Sequence, residues 1–218
     1  MSPNFLVVSL SLFAVWCVLL IASRPTRQEQ AVMSLVGVVL APAILFLAMR
    51  SGADASRVVG VEDLVFAGSF FGIAAVIYEA LFGRHFARLR PARTPARHPV
   101  LLWISRLVLA VAIWGAAAVG GVFALGIDLA PSLLVATLLV GVYVIAERKD
   151  LLGNALASGA CMALLILLIE LLDTLRLEPV PLDAFRLSMT LAPAVWAAIA
   201  GFAIGPLYEY VRRLAPRR

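Results

Sequence analysis

Charge is what this sequence has least of. Asp, Glu, Lys and Arg make up 14% of its 218 residues, against 63% hydrophobic. Soluble domains sit nearer a quarter charged and half apolar, so lipid must solvate much of this chain. Histidine and cysteine are scarce too, two of each. His85 and His98 fall in one basic stretch, and Cys17 and Cys161 lie inside apolar runs, where a free thiol behaves as a small hydrophobe. No His/Cys cluster exists, so no metal site is expected. No GxGxxG or P-loop cradle is present, and no Asp-rich motif could hold a diphosphate through magnesium. The last apolar run has no lysine for a retinal Schiff base. No cofactor is expected. The net charge of +5 has no soluble basic domain behind it, so no nucleic-acid partner is expected, and the arginines read as loop residues of a membrane protein.

What is there is a series of continuous apolar runs, roughly Phe5–Ser23, Ala31–Met49, Leu64–Phe82, Val100–Leu125, Ser132–Ala146, Ala155–Leu172 and Leu187–Tyr208. They are unbroken rather than alternating, which excludes a barrel, and most are long enough for a helix to cross about 30 Å of hydrocarbon. The fold class is therefore all-α: a polytopic membrane protein of about seven transmembrane helices, forming one transmembrane domain over 1–218. The fifth run is the shortest, and six spans are the alternative. No Lys or Arg precedes Arg24, so the first run reads as a retained helix rather than a cleaved signal. With the N-terminus outside, 13 of the 18 basic residues fall on the cytoplasmic side, four fall outside, and Arg106 lies within the fourth span. That bias predicts N-out and C-in in the cell (inner) membrane. His85–Pro99 becomes the main cytoplasmic loop.

An offset of 130 residues lays 61–79 on 191–209. Val65, Ala67, Tyr78 and Glu79 then meet Val195, Ala197, Tyr208 and Glu209, and both segments end in Tyr-Glu followed by arginines. The layout reads as three spans, a linker span and three spans, with repeat 1 over about 5–83, a linker helix over 100–125 and repeat 2 over about 132–211. Repeats running in the same direction are related by an axis along the membrane normal.

Ionisable residues at membrane depth are candidates for function. Glu62 and Asp63 open the third span; they are either acids complementing a helix start or a carboxyl pair at the mouth of an apolar cavity, able to act as a general acid. Glu170 and Asp173, spaced i, i+3, share a face of the sixth span. Glu79 and Glu209 end their spans beside arginines, as interfacial ion pairs would, and Arg106 enters the membrane to the depth of Glu79, so a structural Glu79–Arg106 pair is expected. Phe66, Phe70, Phe71 and Trp196 are the aromatic candidates for binding an apolar substrate.

The segment GVEDLVFAGSFFGIAAVIYE (60–79) resembles the helix that opens with a Pro-x-Glu-Glu motif in the lycopene cyclase domain family, small membrane proteins with paired repeats in one chain or two. WAAIAGFAIGPLYEYV (196–211) is similar to the matching helix of the second repeat. The resemblance implies acid-catalysed cyclisation of an isoprenoid polyene: a carboxyl protonates a terminal double bond, the cation closes a ring, and a proton leaves, with no net redox. The motif falls on Gly60, Val61, Glu62 and Asp63, with Gly for Pro and Asp for the second Glu; in the second copy the acid positions fall on Ala192 and Pro193. The implied catalytic residues are Glu62 and Asp63; Glu170, about a turn inside the sixth span on the same membrane side, is a further catalytic candidate from its depth, and the partners expected are membrane lipid, an apolar isoprenoid and a second chain, the same or different. Two other classes stay open. The layout is also that of SWEET transporters, although the only glutamines, Gln28 and Gln30, lie in a loop, and the thin polar inventory suits a non-catalytic membrane partner.

Overall fold

The computed structural model describes residues 3–50, 60–83, 86–88, 99–177, 187–212 and 214–216. The stretch around Arg57 and most of the His85–Pro99 loop lie outside the described residues, as does the side chain of Asp173. The chain is a helical bundle: α1 (Pro3–Ala22), α2 (Arg27–Arg50), α3 (Val61–Phe82), α4 (Pro99–Val119), α5 (Leu129–Glu147), α6 (Leu152–Leu177), α7 (Leu187–Ile204) and α8 (Leu207–Arg212). Six helical segments, among them Leu129–Glu147 and the joined Ala192–Arg212, are long and apolar enough to cross a membrane, and Leu6–Ala22 adds a shorter apolar helix. The fifth run is thus long enough to span. This is a multi-pass membrane protein.

Each helix boundary has a local cause. α3 starts after Gly60 and stops at Gly83, whose left-handed φ of 62° suits a residue without a Cβ. α4 runs on into a π-helical turn, Gly120–Ala124, and the chain reverses at Gly126 (φ 65°). The final apolar run is not one helix. It breaks at Gly205–Pro206, because Pro206 has no N–H to continue the ladder, and α8 restarts with Tyr210 N–H donating to the Pro206 carbonyl at 3.0 Å. Pro42 and Pro193 sit inside α2 and α7. A short antiparallel pair, β1 (Phe86–Arg88) with β2 (Leu214–Pro216), joins the chain just beyond α3 to the chain just beyond α8.

α3 and the α7–α8 segment are the most enclosed of the spans, and the other helices present more of their surface to lipid. α3 packs against both α1 and α2, and α7 against both α5 and α6, while α4 packs on α5. In lipid the hydrophobic effect does not drive helices together, so close approach of small residues must. A Cβ added to Gly37 of α2 would stand 2.5 Å from the Ala67 carbonyl oxygen of α3, and one on Gly201 of α7 would stand 2.6 Å from the Ser158 carbonyl oxygen of α6. Hydrogen bonds fix the register: Trp16 Nε1 donates to Ser34 Oγ (2.8 Å), Gln30 Nε2 to the Trp16 carbonyl (2.8 Å), and Trp114 Nε1 to Thr137 Oγ1 (3.1 Å). The core around α3 is built from its small and branched residues Ile73, Ala74, Ala75 and Val76, with Met162 of α6, all fully buried.

Candidate functional site

Two features stand out, a cavity and a carboxylate cluster. The cavity, about 70 Å³, lies among α2, α3, α4, α5, α7 and the start of α8, and its walls include Phe70, Phe71, Trp114, Thr137, Trp196 and Leu207. The lining is apolar apart from Thr137 and the indole N–H of Trp114, and these two bond to each other. Three of the four aromatic residues singled out in the sequence therefore meet here. The fourth, Phe66, stacks on Phe70 with centroids 5.7 Å apart, and Phe70 in turn meets Trp196 at 6.0 Å.

The acids singled out at the start of α3 take different roles. Asp63 is buried, and its Oδ2 accepts the Gly60 N–H at 3.0 Å, which ties down the helix start. Glu62 is half-buried, and its carboxyl folds over Gly60, where any Cβ would overlap it. Glu62, Phe66 and Phe70 are spaced four apart, so they lie along one face of α3. Neither acid lines the cavity, and neither does Glu170, which is half-buried on α6.

The cluster lies at the end of the bundle where α2 and α6 begin and α3 and α8 end. Glu29 comes from the first turn of α2, Glu79 from the last turn of α3 and Glu209 from α8. Their exposures are 5%, 6% and 0%, and one carboxylate oxygen from each lies within 4.8 Å of the others. Glu209 Oε1 accepts from Asn154 Nδ2 at 2.6 Å, and Asn154 Oδ1 accepts from Ser158 Oγ at 2.9 Å. Glu29 Oε1 and Glu209 Oε2 are buried and have no hydrogen-bond partner among the described residues. Asn154 is the third residue of α6, as Glu29 is the third of α2.

Cations ring this cluster, engaged in other contacts. Arg212 lies over the Tyr208 ring (5.6 Å) and acts on Glu29 through space; Arg148 acts on Glu209 but holds Asp150 through two bonds (2.8 and 2.5 Å). Arg106 donates to the Tyr210 carbonyl at 3.4 Å and lies 5.8 Å over its ring, one residue from Glu209. The Tyr210 hydroxyl reaches Glu147 Oε2 (2.8 Å) and the Tyr143 hydroxyl (3.1 Å). The expected partner of Arg106, Glu79, belongs to the cluster.

Sequence reasoning missed the assembly. Repetition of Tyr-Glu marks Glu79 and Glu209, but not that they meet. Glu29 and Asn154 precede the apolar runs that define α2 and α6; the available signal was an acid within the first turn of a helix, a common N-terminal feature. Compared with the models of protein families, with curated proteins and with solved structures, the chain matches none.

Proposed function

We propose that this chain is a lycopene cyclase-like membrane protein, built from two three-helix units, which takes an apolar isoprenoid polyene from the bilayer and closes a ring on it by acid catalysis. One observation carries the reading: Glu62, Phe66 and Phe70 are spaced four apart on one face of α3, and Phe66 stacks on Phe70, which lines the aromatic cavity beside Trp196. The Glu62 carboxyl gives its proton to the terminal double bond. The resulting tertiary cation is attacked by a second double bond, and a ring proton leaves to a carboxylate, so the product is an isomer of the substrate. Aromatic faces stabilise the cation between those steps. Asp63 positions the acid by holding the helix start.

The paired-unit layout has support of its own. α3 packs between α1 and α2 as α7 packs between α5 and α6. The strands that follow the two Tyr-Glu helices pair with each other antiparallel, as elements related by an axis along the membrane normal would. In the N-out, C-in orientation the carboxylate cluster faces the cytoplasm and Glu62 the outside.

Pigment analysis of lycopene-accumulating cells that express the chain tests the reading. A new cyclic carotenoid is expected, and Glu62→Gln should abolish it while the protein still folds. A second reading, transport of an apolar small molecule, draws on the cavity having no acid in its lining. Polyene that co-purifies unchanged with the wild-type chain would favour that reading and overturn the cyclase.

A further inference from the structure

We propose that Glu29, Glu79 and Glu209 form a binding site for one divalent, oxygen-preferring cation of the magnesium, manganese or calcium class. This goes beyond the cyclase reading, since it concerns other residues at the opposite end of the bundle and stands whether or not a ring is closed.

Geometry is the first support. The three carboxylates each offer an oxygen within 4.8 Å of the others. Oxygens bound to one such ion at ~2.0–2.6 Å lie no more than ~4–5 Å apart across the coordination sphere. The three side chains already sit within the span of a single ion, although they come from three different helices.

Satisfaction of buried polar atoms is the second support. Glu29 Oε1 and Glu209 Oε2 are buried and accept no hydrogen bond among the described residues, in side chains that are 5% and 0% exposed. Buried carboxylate oxygens without a donor are costly and rare. A cation bound among the three carboxylates compensates buried oxygens that lack donors, and offsets the mutual repulsion of carboxylates held out of water. Arg148 acts on Glu209 through space, while its Nε and Nη2 hold Asp150.

Donor chemistry sets the class of ion. The set is all oxygen, with no imidazole or thiolate, which selects hard cations over zinc or copper. The site is also held in place from behind: Ser158 orients Asn154, and Asn154 holds Glu209. Such supporting bonds are typical of metal ligands. The cations named contribute charge and cross-linking here, tying α2, α3 and α8 together where the two units meet.

The test uses the full chain in detergent, stripped with EDTA and titrated with Mn²⁺ while the free-ion EPR signal is followed. One saturable Mn²⁺ per chain is expected, displaced by Mg²⁺ or Ca²⁺, together with a higher melting temperature than in EDTA. Glu29→Gln and Glu209→Gln should each weaken Mn²⁺ binding at least about tenfold while helix content by circular dichroism is kept. Absence of saturable Mn²⁺ binding by the wild-type chain would overturn the proposal, as would saturable binding that persists unchanged when Glu29→Gln and Glu209→Gln are combined. So would a Glu209→Gln chain that melts above an ion-indifferent wild type, because the carboxylates would then share a proton instead. If the variants fail to fold, the wild-type titration and its melting shift still decide.

Discussion

Carboxylates gather at two places in this bundle and arrive there by opposite routes. At the start of α3, Glu62 and Asp63 are adjacent in the chain yet part company. Consecutive helical residues point about 100° apart, so Asp63 turns back to the Gly60 N–H while Glu62 lies on the face of Phe66 and Phe70. At the other end Glu29, Glu79 and Glu209 are separated by 50 and 130 positions in the sequence and converge to within 4.8 Å. The first pair is local chemistry, readable from a motif and divided by helix geometry. The second is made by the fold, because α2 begins at the level where α3 and α8 end. An acid pair in sequence is therefore weak grounds for an acid pair in space, and burial falls more heavily on the site that no motif marks.

The sharpest contrast between the two sites is in stability, and the largest effect belongs to Asn154. It holds a fully buried carboxylate at 2.6 Å. Asn154→Leu removes a hydrogen bond to a charged group and leaves its acceptor buried, so unfolding in detergent should cost about 3 kcal/mol less than for the wild type. Thermal or denaturant unfolding followed by circular dichroism measures this. A change below about 0.5 kcal/mol, the size of an ordinary surface substitution, would mean that the cluster is looser than its geometry implies.

Arg106 comes next. Arg106→Ala loses the contact to the Tyr210 carbonyl and the ring beneath it, which hold α8 at the residue after Glu209. A loss of about 1–2 kcal/mol is expected from a partly desolvated cation–π contact and one charged hydrogen bond. The sharper expectation is conditional. With Mn²⁺ present the deficit should shrink, because an ion held by Glu209 anchors α8, the helix that Arg106 also holds. A deficit independent of divalent ions would show that Arg106 serves packing alone and would weaken the coupling drawn between α4 and the cluster.

At the start of α3 effects should be smaller and indifferent to metal. Asp63→Ala removes an acceptor from the Gly60 N–H. Loss of a helix-start bond of this kind typically costs about 1 kcal/mol. The same unfolding measurement with and without Mn²⁺ separates the two sites. If Asp63→Ala proved as damaging as Asn154→Leu, the division into a local cap and a fold-made cluster would fail.

The spans were legible because lipid enforces one requirement that sequence displays openly, about twenty apolar residues per crossing. The same reliance on apolar runs misplaced the helix starts that matter most. α2 begins at Arg27 rather than Ala31, and α6 at Leu152 rather than Ala155. Their polar first turns looked like loop, but they are buried against other helices and carry Glu29, Gln30 and Asn154. The break at Gly205–Pro206 was likewise hidden inside a continuous apolar run, and it is this break that starts α8 and presents Glu209. The meeting of Phe70, Phe71 and Trp196 was anticipated in residue type; the position of the cavity relative to Glu62 was not, since it depends on how α4 and α5 close around α3 and α7.

The smallest effect on stability should accompany the largest on chemistry. Glu62 is half-buried and folds over a glycine, so Glu62→Gln keeps the shape and should change stability by less than about 1 kcal/mol. The amide has no acidic proton to give, so ring closure should disappear from the pigment profile of lycopene-accumulating cells. Glu209→Gln supplies the contrast, because Glu209 lies at the other end of the bundle from the acid and its own substitution should leave cyclic pigment detectable wherever the chain still folds. Cyclic pigment retained in Glu62→Gln and lost in a folded Glu209→Gln chain would reverse the assignment, moving the acid to the buried cluster and leaving the start of α3 a helix cap.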